Sequence, residues 1–287
     1  MMRSANPTLN VFQTGQPGSG RGVPVQQPAN WTTLSGPGQA ASTSTGFGLG
    51  LGERSNVMTL GGTLTASAIL IGLTMTSAVA SYSLIQTNNS LILPLGIGGF
   101  VVSLILGLII AFVHKAAPFL APIYALTKGC FVGMFSLLVA ERLGGGPAMK
   151  ALPFQALTLT IAVAGGMLVG YATRIIRPGR VFRAIFTTAM LGYSLFFLVA
   201  AGMWLFGNTS LINLFSVTNS SPLSIGVSVL AVGLAAFSLI MAFETINVGI
   251  QTGQPKYMEW YAGYALLVEL VWLYLELLRL LAKLRRE

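Results

Sequence analysis

Residues 260–282 read WYAGYALLVELVWLYLELLRLLA, an apolar run that holds only three charged side chains. The run is long enough for the ~20 residues that a helix needs to cross the hydrocarbon core of a bilayer. An ionisable side chain at the centre of a membrane helix costs roughly 2.5–3.5 kcal/mol on insertion scales. The stretch therefore predicts a transmembrane helix in which Glu269, Glu276 and Arg279 need partners.

Six further apolar runs of similar length precede this one. They cover residues 57–82, 91–113, 119–140, 151–172, 184–207 and 223–247. The chain of 287 residues is 54% hydrophobic and 8% charged, and its mean hydropathy is +0.75. Soluble proteins carry about 25% charged residues, so this composition cannot cover a water-facing surface. We predict an all-α integral membrane bundle of seven transmembrane helices over residues 57–287.

The first 56 residues have a different composition. Residues 1–56 are rich in Gly, Pro, Ser, Thr and Gln and lack apolar periodicity. Such a segment cannot bury enough apolar surface to offset the entropy of ordering it, so we predict a disordered amino-terminal tail.

The net charge of +9 is typical of a membrane protein whose cytoplasmic loops are basic. No Lys/Arg run is interleaved with aromatic residues, so the expected partner is the lipid bilayer and not nucleic acid. The four arginines of the connection 174–183 favour an amino terminus in the cytoplasm. The basic carboxyl tail would then lie outside, unless the last run is a re-entrant element.

The chain has one histidine, His114, and one cysteine, Cys130. A single cysteine cannot form an intrachain disulfide. One histidine and one cysteine are also too few for a structural zinc site or an H-E-x-x-H peptidase site. No nucleophile motif accompanies His114 either. We therefore predict no catalytic residue and no cofactor, and an intramembrane enzyme is the least favoured class of function.

The glutamates of the last two runs are the candidate site. Glu269 has no opposite charge three or four residues away, so its partner must come from another helix, and Glu244 of the sixth run is the main candidate. Two carboxyl groups in one low-dielectric site cannot both ionise cheaply, so such a pair would act as a proton-sensitive latch. Lys115 is a candidate charge partner. The alternative is that Glu269 is hydrogen-bonded to a polar neighbour and has no functional role.

Two other glutamates have structural explanations. Arg279 follows Glu276 at i+3, where an ion pair within one helix can satisfy both groups. Glu259 precedes the last run, where a carboxylate in the first turn complements the helix dipole.

The sequence resembles a known family in its last third. The stretches FETINVGI at 243–250 and GQPKYMEWYAGYALLVELVWLYLELLRLL at 253–281 are similar to the Bax inhibitor family, and RSANP at 3–7 is similar to a short S-x-N-P motif of its bacterial branch. The resemblance implies a seven-helix bundle with the last helix central and enclosed by the other six. It also implies a pH-sensitive calcium leak channel in the inner membrane of a bacterium.

The resemblance also implies residue roles. The family's aspartate latch falls on Glu244 and Glu269, and its arginine falls near Lys115, with His114 adjacent. Glutamates and a lysine thus stand where the family has aspartates and an arginine, which changes the geometry but keeps the charges. Our leading hypothesis is a leak of cations, with calcium as the permeant ion, gated by protonation of the Glu244–Glu269 pair. The alternative is a regulator that conducts nothing and binds another membrane protein, such as a membrane protease, or a stress or cell-death partner.

Overall fold

The structure is a computed structural model that describes residues 56–146, 150–176 and 178–285. The predicted disordered tail lies outside these residues except for its last one. Seven α-helices follow in chain order: α1 Leu60–Thr87, α2 Gly99–Phe112, α3 Ala117–Arg142, α4 Leu152–Ala172, α5 Arg180–Leu205, α6 Pro222–Gln251 and α7 Met258–Leu284. A π-helical segment, Ile92–Gly98, runs directly into α2. The predicted all-α bundle of seven helices is confirmed.

Local sequence signals explain where two of these helices begin. Thr59 precedes α1, and its hydroxyl accepts a hydrogen bond from the amide of Gly62. Ser221 caps α6 in the same way by accepting from the amide of Ser224, and Pro222 occupies the first turn. Both caps satisfy amide groups that have no partner within their own helix.

Six stretches in the described part of the chain are long and apolar enough to cross a membrane, from Leu60–Thr87 through Pro222–Gln251. The last helix, α7, has 27 residues but carries several ionisable side chains along its length. Other helices cover most of it, and its apolar residues belong to three separate buried clusters with α1, α3, α4 and α6. The last helix is therefore the central one, as the resemblance implies.

The closest helix packing is between α1 and α3. A side chain at Gly129 or Gly133 of α3 would collide with the backbone of α1. Small residues let two helix backbones approach in this way within a membrane. At the other extreme, Ala200 is the one fully buried residue of α5, so α5 lies at the edge of the bundle.

The bundle has two distinct ends, which we name after residues of α7. At the Glu259 end, the segment before α1 contacts the loop between α6 and α7, where the Met58 amide donates to the Gln254 carbonyl over 2.6 Å. At the Lys283 end, α7 finishes beside the beginning of α6. Between these ends α7 is one uninterrupted helix.

Candidate functional site: a polar seam between the last two helices

Polar side chains line the contact between α6 and α7. On α7 they recur at seven-residue intervals, about two helical turns, and so lie on one face of the helix. The two helices run antiparallel, and Ser238 lies against Glu269 while Ser224 lies against Lys283. We call this set the polar seam, and it consists of Ser224, Ser228, Ser238, Glu269, Glu276 and Lys283.

Glu269 occupies the middle of the seam and is half-buried. Its carboxyl group accepts a hydrogen bond from the hydroxyl of Ser238, which also lies 2.8 Å from the carbonyl oxygen of Ala235. No ion pair in the described part of the chain includes Glu269. The predicted partner from another helix is therefore a neutral hydroxyl group.

A cavity of about 310 Å³ opens beside Glu269, between α5, α6 and α7. Its walls are mainly apolar, with methionine and aromatic side chains, and its polar residues include Ser238, Thr245 and Glu269. The Glu269 carboxyl group thus borders this cavity, and no other charged residue lines it.

Glu244 has other partners. Its carboxylate accepts hydrogen bonds from the hydroxyl of Tyr171 over 2.8 Å and from Nη2 of Arg183 over 2.9 Å. Its side chain is 24% exposed, and that of Arg183 is 52% exposed. Glu244 therefore belongs to an ion pair near the Glu259 end that joins α6 to α4 and α5.

The predicted pairing of Glu244 with Glu269 is not formed. Ser238 sets the register of the two helices, and Glu244 lies six residues beyond it, about 9 Å along the axis and about a third of a turn round the helix. That rotation directs Glu244 away from α7. The described residues contain no hydrogen bond between the two carboxyl groups. The sequence pattern thus identifies α6 and α7 as neighbours but does not specify the register between them.

The predicted cations do not join either carboxyl group. Lys115 lies in the short 3-10 segment His114–Ala116 and is exposed, and in the described chain its side chain forms neither a hydrogen bond nor an ion pair. The ring of His114 packs edge-on against Tyr261, with 4.5 Å between ring centroids. Arg183 therefore holds the position beside Glu244 that the sequence analysis considered for Lys115.

The predicted pair of Glu276 and Arg279 is confirmed. Nη1 of Arg279 donates to both carboxylate oxygens of Glu276, over 2.7 and 2.8 Å. The pair lies inside the bundle, where only 5% of the Glu276 side chain is exposed. Two charges of opposite sign neutralise each other here within a single helix.

Glu259 lies in the first turn of α7, as its position predicts, and it also contacts the beginning of α1. One of its oxygens accepts from the amide of Thr59 over 2.9 Å and from the hydroxyl of Thr59 over 2.8 Å. The carboxylate fills the space above Gly62, where a larger residue would collide with it. It therefore binds the beginning of α1 to the beginning of α7.

Lys283 is a functional residue that the sequence alone does not single out, because it stands in a basic carboxyl tail. It is fully buried, and its ammonium group contacts the beginning of α6 and the connection before it. The seven-residue spacing from Glu269 to Glu276 continues to Lys283, and this continuation was the signal that could have placed it on the seam. Tyr171, Arg183 and Ser238 carried no comparable local signal, because their roles depend on helix packing.

The described residues contain no group of three or more His, Cys, Asp or Glu side chains that could hold a metal ion. The seam instead offers hydroxyl and carboxylate oxygens spaced along the interior of a membrane bundle. Oxygen ligands of this kind interact with hard cations.

The comparisons with known proteins agree with the resemblance noted in the sequence. The family model described as Bax inhibitor 1 like matches residues 9–286, which is nearly the whole chain. No curated protein and no solved structure matches the chain. A helical bundle with a polar central helix and a family match of this length lead to one conclusion: the chain belongs to the Bax inhibitor 1 like family.

Proposed function

We propose that this protein is a pH-sensitive cation leak channel in which Glu269 is the proton-responsive group. The observation that supports this most directly is the half-buried Glu269 carboxyl group, which faces the cavity between α5, α6 and α7 and is bonded to a neutral hydroxyl. Calcium as the permeant ion rests on the family resemblance.

A comparison with Glu244 of α6 and Glu276 of the seam supports the choice of Glu269. Glu244 has Arg183 as its partner and Glu276 has Arg279, so both charges are balanced nearby. Glu269 has no cationic partner among the described residues. A change in its protonation therefore alters the net charge of the seam, which a cation entering the cavity would experience directly.

Protonation would also change the hydrogen bonding of the seam. An ionised carboxylate can only accept hydrogen bonds, whereas a protonated carboxyl group can also donate one. Ser238 is the hydroxyl that must respond, and it belongs to α6. The contact between Glu269 and Ser238 thus couples a proton to the packing of α6 against the central helix.

The same geometry favours a slow leak over fast conduction. Beyond Glu269, the seam continues to the closed Glu276–Arg279 pair and then to the buried ammonium of Lys283. A cation moving toward that end meets the neutral ion pair and then the positively charged ammonium group, and the described seam lacks the ring of carbonyl oxygens typical of a high-throughput filter.

The test is calcium flux into liposomes that contain the purified protein, measured from acidic to mildly alkaline pH. Glu269→Gln should flatten the pH dependence of the flux, because the amide cannot ionise. Glu244→Gln is the matched control, since it makes the same chemical change in a carboxylate that has its own arginine, and it should keep most of the pH response.

Two results would contradict the proposal. A pH response that survives Glu269→Gln would remove Glu269 as the sensor. Flux no greater than that of protein-free liposomes at every pH would remove the channel function and favour the non-conducting regulator that binds a membrane protein.

A further inference from the structure

The ammonium group of Lys283 lies in a closed cage of oxygen atoms at the Lys283 end. Nζ lies 2.8 Å from the carbonyl oxygen of Leu214 and 3.0 Å from that of Ser224. It also lies 2.7 Å from the hydroxyl oxygen of Ser224 and 2.8 Å from that of Ser228. Lys283 itself has no exposed surface. Four oxygens thus surround one cation that is cut off from solvent.

Every oxygen of the cage is electrically neutral. Burying a charge without a counter-charge is costly unless hydrogen bonds replace its hydration, and here carbonyl and hydroxyl groups do so. No carboxylate in the described chain bonds to Lys283. The nearest charges along α7 are Arg279 and Glu276, and they bind each other. The cage therefore holds its cation by the ligand chemistry that ion channels use for monovalent cations.

The cage is also organised independently of Lys283. The hydroxyl of Ser224 lies within hydrogen-bond distance of the Leu214 carbonyl at 2.8 Å and of the Asn219 carbonyl at 3.0 Å. When the Ser224 hydroxyl donates its proton to either carbonyl, the lone pairs of the hydroxyl oxygen remain free to contact the cation. The 3-10 segment Ile212–Phe215 and the beginning of α6 thus form the cage, and α7 supplies only the cation.

We propose that this cage is a binding site for a monovalent cation of ammonium type, which the chain fills with its own lysine, and that Lys283 thereby closes the end of the polar seam. The closure rests on the proposed cation leak, whereas the binding of a cation in the cage does not. The ammonium group of Lys283 is thus a covalently attached ligand of the cage, and a free ammonium ion can replace it.

The binding is tested with Lys283→Ala, which removes the ammonium group and leaves the cage and a channel to it. The midpoint of thermal unfolding in detergent is measured with increasing ammonium chloride and, at equal ionic strength, choline chloride, whose cation is too large for the cage. Ammonium should raise the midpoint of the variant progressively, and with the logarithm of its concentration once the cage is mostly filled, because a ligand that binds only the folded state stabilises it. The wild type should show no difference between the salts.

Lys256→Ala is the matched control, because Lys256 is an exposed lysine near the beginning of α7. It should respond to the two salts as the wild type does. Equal midpoints for Lys283→Ala in ammonium and in choline would overturn the cation site and make Lys283 a simple anchor of α7.

The closure is tested with Lys283→Met, which keeps the aliphatic stem and so preserves most of the packing if the alanine variant does not fold. In liposomes, Lys283→Met should leak several-fold faster than the wild type at the pH where the wild type is least active. An unchanged leak rate overturns the closure. If the wild type shows no flux at any pH, the proposed function fails, while the ammonium measurement still decides the cation site.

Discussion

Ionisable side chains at the two ends of the central helix have more hydrogen-bond partners than the one in its middle. At one end, Glu259 accepts two hydrogen bonds from Thr59, and at the other, the ammonium of Lys283 has four oxygens around it. In the middle, Glu269 has one neutral partner, Ser238, and open space beside it. The ionisable groups at the ends are thus held by several hydrogen bonds each, whereas the one in the middle has a single neutral partner and space beside it.

This difference suggests how the helix divides its tasks. The ends fix α7 in the bundle by tying it to the beginnings of α1 and α6. The middle carries the group that responds to pH in the proposed function. Substitutions at the ends should therefore reduce stability, and a substitution in the middle should change activity alone.

The largest loss of stability is expected from Lys283→Met. The change removes the ammonium group that donates to the buried oxygens of the cage, and each group left unsatisfied costs about 1–3 kcal/mol, so we expect a loss of about 3 kcal/mol. The free energy of unfolding in detergent, without added ammonium, measures it. Lys256→Met should stay within about 0.5 kcal/mol of the wild type, and an equally small effect at Lys283 would contradict the comparison.

A smaller loss is expected from Thr59→Val, which keeps the shape of the side chain but removes its hydroxyl. The hydroxyl caps α1 and also donates to Glu259, so the loss should be about 1–2 kcal/mol. The same unfolding measurement applies. Thr65→Val, an exposed position in the same helix, is the control, and a similar loss there would show that the effect is not specific to the Glu259 end.

Arg183→Met should have a weaker effect on stability. Its ion pair with Glu244 is partly exposed, with 52% of the Arg183 side chain accessible, and pairs of this kind contribute less than about 1 kcal/mol. Arg180→Met, a neighbouring exposed arginine, serves as the reference in the same measurement. A loss as large as that of Lys283→Met would show that the Glu244 pair is a further fixed point of the bundle.

The smallest effect on stability is expected from Glu269→Gln. The amide oxygen of glutamine can still accept from Ser238, so the free energy of unfolding should change by less than about 0.5 kcal/mol. The pH dependence of calcium flux should nevertheless be lost. A strongly destabilised Glu269→Gln protein would mean that the middle of α7 contributes as much to stability as its ends do.

Most of the fold could be predicted from the sequence because membrane helices depend on length and apolar composition. The seventh run, predicted over 260–282, corresponds to α7 Met258–Leu284, and the sixth, over 223–247, corresponds to α6 Pro222–Gln251. Their boundaries differ by a few residues because helix caps and loops, and not hydrophobicity, decide where a helix ends.

The site was harder to predict because its partners come from different helices. Glu269 stands out as an acid within an apolar run, and its need for a partner on another helix is evident from α7 alone. The identity of that partner depends on the register between α6 and α7, which no local pattern specifies, so the sequence favours Glu244 where the structure has Ser238. The Glu276–Arg279 pair was predictable because both residues belong to one turn of one helix.

The contact between Thr59 and Glu259 has a consequence for how the chain is made. The two residues are 200 positions apart, so at roughly 5–20 residues per second the ribosome needs about 10–40 s to make the second after the first. During that time the first helix lies in the membrane with its starting amide and hydroxyl still without their acceptor. Assembly of the bundle therefore depends on the synthesis of α7. A chain that stops before Glu259 lacks the acceptor for the amide and hydroxyl of Thr59 at the beginning of α1.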